Sequence, residues 1–197
     1  MAELFLAAQS APPDDTARVF VQSVPLVGQV AVRGRPEDGA FRAAVRAATG
    51  LDLPLAVGGV AEAGDYRALW LGPDHWLVVT AAGEGPALVA RLQPAFAGLF
   101  AAAVDVSGAR TRLRLIGPAA ADVLASGCRL DLGPDAFGAG QAVQAPVGNV
   151  TAIVHCLTAE PPGERLCYDL YVPRSQALSF WRWLEQAGRP WGLGVRA

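Results

Sequence analysis

The chain has 197 residues, 52% of them hydrophobic and only 17% charged, with a formal net charge of -2 at pH 7. That length makes one large domain or two small ones, and the charge excludes the clustered cations with which nucleic-acid binders displace phosphate counterions. All 16 cationic side chains are arginine, so Schiff-base chemistry, a P-loop lysine and a lysine general base are excluded as well.

Soluble domains average about 25% charged residues. Two readings of the deficit stay open: part of the surface is covered by another chain, or the composition is simply alanine-rich. No apolar run approaches the ~18–20 residues that span a bilayer. The opening Met1-Ala2-Glu3-Leu4-Phe5-Leu6 has no cationic stretch and too short an apolar core for a signal peptide. Cys128, Cys156 and Cys167 form no metal-spaced or CxxC motif, and a reducing cytoplasm is the expected location.

In chain order, residues 1–23 contain Ala-Pro-Pro-Asp-Asp and no sustained periodicity, which reads as a flexible arm, free or draped over a partner. Order begins at Gly28–Gly34, a strand with Val30 and Val32 on one face. Pro36 is expected in the first turn of a helix, with Glu37 and Asp38 at its positive end. Phe41, Ala44, Val45 and Ala48 form its apolar stripe, and Gly50 closes it. Strands at Tyr66–Leu71 and Trp76–Thr80 flank the tight turn Gly72-Pro73-Asp74, where His75 is expected to be exposed. A helix over Pro86–Gln93 is interrupted by Pro94, and Ala103–Ser107 is a further strand.

The second half repeats this grammar. Arg112-Leu113-Arg114-Leu115-Ile116-Gly117 echoes Gln29-Val30-Ala31-Val32-Arg33-Gly34, and Pro118 follows as Pro36 does, opening a helix that ends at Gly127. Strands at Asn149–Leu157 and Leu166–Val172 make a hairpin around Glu160-Pro161-Pro162-Gly163. A helix over Arg174–Ala187 follows, then a final strand over Trp191–Val195. The expectation is an α+β protein: an arm over 1–23 and two ferredoxin-like βαββαβ halves over 24–108 and 109–197, forming one compact unit. In it antiparallel sheets carry helices on one face.

Arg110, Arg112 and Arg114 alternate along one strand and share a face, so they either grip a carboxylate-bearing ligand or partner, or form a solvated outer face. Asp105, Ser107 and Arg110 either line a polar pocket at a strand end or satisfy backbone donors in a turn. His155 and Cys156 are strand neighbours on opposite faces, and no metal site is expected. GxSxG, GxGxxG and Walker sequences are missing, which leaves no self-contained catalytic constellation. On the helix over Arg174–Ala187, apolar residues spread over an arc of roughly 220°, where one sheet needs a stripe of ~100°. Phe180, Trp181 and Trp183 are therefore either interface anchors or covered by the chain's own C-terminal segment.

Three segments carry a resemblance. They are Leu69-Trp70-Leu71-Gly72-Pro73-Asp74-His75-Trp76-Leu77, the stretch from Val104-Asp105-Val106-Ser107-Gly108-Ala109-Arg110-Thr111 to Gly127-Cys128-Arg129-Leu130-Asp131-Leu132, and Tyr171-Val172-Pro173-Arg174-Ser175 with Phe180-Trp181-Arg182-Trp183-Leu184. Together they resemble the gamma subunit family of heterotetrameric sarcosine oxidase, with departures at His75 and Gly108, where that family usually or often has an acidic residue. The resemblance implies a fold related to the folate-binding aminomethyltransferases of the glycine cleavage system. It implies a non-catalytic chain with no cofactor of its own, packed chiefly against the alpha subunit of a complex with beta and delta subunits. FAD, FMN, NAD and tetrahydrofolate belong, on this resemblance, to the assembled complex. That complex demethylates sarcosine to glycine with formation of hydrogen peroxide and methylene-tetrahydrofolate. Phe180, Trp181, Trp183, Arg112 and Arg114 are then the candidate partner contacts. The competing expectation is a stand-alone folate-binding or aminomethyltransferase-like protein that uses Asp105, Ser107 and Arg110 to hold the pterin.

Overall fold

The computed structural model describes residues 17–157 and 166–196. Its strands are β1 (Phe20–Ser23), β2 (Gly28–Gly34), β3 (Val60–Ala63), β4 (Tyr66–Gly72), β5 (His75–Thr80), β6 (Ala101–Asp105), β7 (Arg110–Gly117), β8 (Gln141–Val147), β9 (Val150–Cys156), β10 (Leu166–Pro173) and β11 (Gly194–Arg196). Its α-helices are α1 (Gly39–Thr49), α2 (Gly85–Ala95), α3 (Ala120–Ala125) and α4 (Ala177–Gly188). The chain divides into two units, one of Pro25–Ala109 and one that joins Met1–Val24 to Arg110–Ala197. The Ala-Pro-Pro-Asp-Asp of the expected arm and the Glu160-Pro161-Pro162-Gly163 turn lie outside the described residues.

In the Pro25–Ala109 unit the five strands are antiparallel in the order β3-β4-β5-β2-β6. Alternation along β2 turns Val30 and Val32 into a core, where they meet Phe41 and Val45 of α1 and Leu88 and Leu92 of α2. Phe41 anchors this core, with its ring centroid 5.7 Å from Trp76 and 5.5 Å from Phe96. The Trp76 indole N–H donates to the Pro54 carbonyl at 2.7 Å, so the most voluminous of the fully buried side chains has its polar atom satisfied.

Helix α1 starts three residues after Pro36, not at it. The Asp38 carboxylate accepts from the backbone N–H of Ala40 and Phe41 and so fixes the N-cap, which confines Pro36 to the preceding turn. Gly50 ends the helix in the left-handed region at φ 75°, its N–H bonded to the Arg46 carbonyl. Helix α2 runs through Pro94 and ends one residue later at Ala95, so the expected interruption falls at its C-terminus. His75 opens β5, half-buried, instead of projecting from the turn.

The other unit has a six-stranded sheet ordered β11-β1-β7-β10-β9-β8, antiparallel except for the parallel β1–β11 pair. One face packs under α3 and α4, with Leu113, Leu115, Tyr168, Leu170 and Val154 against Val123, Leu124, Phe180 and Leu184. The expected arm ends earlier than the composition suggested. Val19 and Val21 are fully buried, and Phe20–Ser23 forms a strand wedged between β7 and β11. Both units also carry a strand outside the βαββαβ pattern, β3 in one and β8 in the other, each at a sheet edge. Pro146 obscures β8 in the sequence, but an edge strand tolerates it because one side of its backbone has no ladder to break.

Candidate interaction surface

Two arginines of the stripe on β7, Arg112 and Arg114, are part-buried and engaged by a carboxylate of the neighbouring strand. Asp169 stands opposite Arg114 in the β7–β10 register and is fully buried. Arg114 donates Nε to Oδ1 at 2.7 Å and Nη2 to Oδ2 at 3.0 Å, a bidentate fork, while Arg112 adds Nη1 to Oδ2 at 3.3 Å. The Asp169 hydrogen bond holds the Arg114 guanidinium above its ordinary pKa, against the opposing effect of burial. Half-burial lowers that of Arg110. His155 lies opposite Asp169 on β9, and Tyr171 opposite Arg112 on β7, both buried. Arg112 and Arg114, expected as partner contacts, are both engaged with a carboxylate of the same sheet. Asp169 was missed in the sequence, although it is the one charged residue in the otherwise uncharged run Leu166–Val172.

Asp105 and Ser107 are likewise in use. Asp105 Oδ1 accepts from the Ser107 N–H at 3.1 Å and from the Ser107 hydroxyl, whose oxygen accepts the Gln29 N–H at 2.9 Å. A side chain at Gly85, the first residue of α2, would meet both Asp105 Oδ1 and Ser107 Oγ. The pair thus ties the end of β6 to β2, as a turn-forming Asx arrangement does, and lies close against the start of α2. Arg110 is the first residue of β7, in the other unit.

Helix α4 divides the three aromatic candidates. Phe180 and Trp181 are buried with Leu184 in the core of their own unit, so of the two readings the one in which they are covered by the chain itself holds, and they are not partner contacts. The C-terminal segment supplies the cover: Trp191, Leu193 and Val195 pack on the same core, and a side chain at Gly188 would strike Leu193. His155 and Cys156 do point to opposite faces, with Cys156 in this core. Burial and the nearby Cys167 push the Cys156 thiol up to about 11.

Trp183 is different. It stays half-buried, its ring 5.4 Å from Phe180, and it sits over backbone with no side chain beneath. A Cβ at Gly127 or Gly148 would run into the indole, and the two glycines are tied by a 2.9 Å bond from the Gly148 N–H to the Gly127 carbonyl. Gly148 occupies the tight β8–β9 turn at φ 59°, where glycine alone avoids strain. Around this platform runs an open groove walled by Ser126, Asn149, Ser179, Arg182, Trp183 and Gln186. Asn149 donates to the Ser179 hydroxyl and holds the β8–β9 turn against α4. Among the described residues there is no cluster of three His, Cys, Asp or Glu side chains able to hold a metal, and no helix long and apolar enough to cross a membrane.

Two sheets, each covered on one face by a pair of helices, define a mixed α/β protein of known architecture. The aminomethyltransferase T of the glycine cleavage system from Bartonella henselae shares the fold, with a TM-score of 0.62 at 18% identity over 91% of this chain and 48% of that one. The sarcosine oxidase gamma subunit family model matches residues 33–189, and the chain belongs to that family. It is 38% identical over 150 residues to the sarcosine oxidase subunit gamma of Arthrobacter sp., covering 76% of this chain and 72% of that one. It is also 38% identical over 154 residues to that of Corynebacterium sp. strain U-96, covering 78% and 74%. A chain of the solved heterotetrameric sarcosine oxidase from Corynebacterium sp. U-96, in complex with pyrrole 2-carboxylate, superposes with a TM-score of 0.84 at 32% identity over 100% of this chain and 97% of that one.

Proposed function

We propose that this chain is the non-catalytic gamma subunit of a heterotetrameric sarcosine oxidase and packs chiefly against the alpha subunit of a complex with beta and delta subunits. The observation that carries this reading is the end-to-end superposition on a chain of an assembled heterotetramer. The polar groups nearest to a constellation support it too: Asp105, Ser107, Arg112, Arg114 and Asp169 are engaged with one another or with backbone. In this reading FAD, FMN, NAD and tetrahydrofolate are held by the other subunits. The complex converts sarcosine to glycine in the cytoplasm, with formation of hydrogen peroxide and methylene-tetrahydrofolate. The shared strand orders β3-β4-β5-β2-β6 and β8-β9-β10-β7-β1-β11 support a duplication of a ferredoxin-like unit, with β1 inserted into the second copy. Halves of 24–108 and 109–197 fit that duplication.

Co-expression with the three other subunits tests the proposal. The expected result is a single species by size-exclusion chromatography that contains all four chains and oxidises sarcosine; a chain that elutes alone overturns it. The aminomethyltransferase fold favours a second reading, a stand-alone folate binder. Isothermal titration with tetrahydrofolate decides that one, and no heat at high micromolar ligand eliminates it.

A further inference from the structure

The groove beside Trp183 has a single kind of charge. Ser126, Asn149, Ser179 and Gln186 are neutral, and Arg182 makes no ion pair or hydrogen bond among the described residues. Glu185, three residues along the helix, pairs with no arginine. By contrast Arg33, Arg46, Arg67, Arg112 and Arg114 each have a carboxylate partner. Beside this cation lies an indole that the fold supports by giving up a Cβ at two positions, and yet leaves half-exposed. Leu178, one turn earlier and 37% exposed, continues the apolar strip past Arg182. Tryptophan and arginine are the residue types most enriched where binding energy concentrates in interfaces.

We propose that a carboxylate-bearing segment of a partner subunit docks in this groove, with its Asp or Glu on Arg182 and its apolar neighbours against Trp183 and Leu178. The proposal rests on the reading of the chain as a subunit and adds which surface is used and what chemistry meets it. Charge complementarity selects the occupant: a neutral-walled groove with one uncommitted guanidinium favours a carboxylate, which it can hold bidentately. The openness of the groove, with the exposed Leu178 nearby on the same helix, suits a polypeptide. A small free acid would need buried polar groups to orient it, and the groove's polar walls are exposed or half-exposed.

The test uses the co-expressed four-chain complex. Arg182→Glu weakens association of this chain at least about tenfold, because one unfavourable charge contact at an interface costs more than ~1.4 kcal/mol, and Arg182→Lys, which keeps the charge but loses the bidentate fork, weakens it less. Arg42→Glu, on the exposed face of α1, leaves association unchanged. A photo-crosslinking amino acid in place of Gln186 joins this chain to another subunit, at a peptide that contains Asp or Glu. Thermal melts confirm that each variant is folded. Failure of the wild-type chain to assemble removes the subunit reading and this proposal with it. Wild-type assembly that Arg182→Glu leaves within twofold, or a cross-link confined to a peptide without acidic residues, overturns the docking proposal alone.

Discussion

Asp169 faces Arg114 across the β7–β10 ladder and takes its guanidinium in both carboxylate oxygens, at 2.7 and 3.0 Å, with no solvent exposure of its own. A buried pair of this kind is a weak source of stability as a pair, because desolvation offsets the attraction. Removing one partner, however, strands the other. Asp169→Ala leaves two arginines without their counter-charge and is expected to cost about 3–5 kcal/mol. Urea unfolding at neutral pH measures it, and a loss under about 1 kcal/mol would remove the ion cluster from the account of this sheet.

Phe180 and Leu178 lie two residues apart on α4, and the fold treats them in opposite ways. Phe180 is fully buried and Leu178 is 37% exposed. Phe180→Ala is expected to destabilise by about 3–5 kcal/mol, through lost burial and the cavity left behind. Leu178→Ala costs well under that in the isolated chain. Thermal denaturation of the two variants decides the matter, and equal losses would mean that α4 turns a different face to the sheet.

Gly148 and Gly64 have nearly the same positive φ, 59° and 54°. A side chain at Gly64 meets nothing within 4 Å, whereas one at Gly148 strikes Trp183. Gly64→Ala therefore reports the left-handed conformation alone, about 1–2 kcal/mol. Gly148→Ala adds the displacement of the indole to a similar strain. The difference between the two melts, accompanied by a change in tryptophan fluorescence only for Gly148→Ala, measures how firmly the platform holds Trp183.

Alkaline stability follows from Cys156. Its thiol, held up by burial and by the neighbouring Cys167, keeps its proton to about pH 11 in the folded chain, while an unfolded thiol loses it near 9.0. The folded state then binds more protons between these values, so stability is unaffected below about pH 9 and falls as pH rises toward 11. Burial also raises the Tyr168 hydroxyl, which donates to the Leu132 carbonyl, and this acts in the same direction. Unfolding free energies from pH 7 to 11 give the slope, and Cys156→Ser makes the decline shallower. At pH 8, Cys156 is expected to resist thiol reagents until the chain is unfolded.

Much of the local structure is written in short-range physics that a sequence displays. The Phe41-Ala44-Val45-Ala48 stripe, Gly50 at the end of α1, and the alternation of Leu113 and Leu115 each follow from one residue's neighbours, and all stand in the fold. Family membership was legible for the same reason, since it rests on ordered strings of residues. Two of the edge strands, β3 and β8, were not. β3 and β8 carry no strong apolar alternation, and their pairing is decided by the strands beside them.

The amino-acid sequence by itself determined the helices and most of the central strands, the exclusion of lysine chemistry and the resemblance to a gamma subunit, because periodicity, capping and motif order are properties of consecutive residues. Only the tertiary structure decided where Phe20–Ser23 goes, which carboxylate takes Arg112 and Arg114, and which of Phe180, Trp181 and Trp183 stays near the surface. Each of those outcomes depends on a partner tens of residues away: Leu115 for Val21, Asp169 for Arg114, and Gly127 and Gly148 for Trp183. An amphipathic arc reveals that a helix has more apolar surface than one sheet requires. It does not reveal whether the excess meets the chain's own tail or another subunit, since both bury the same area.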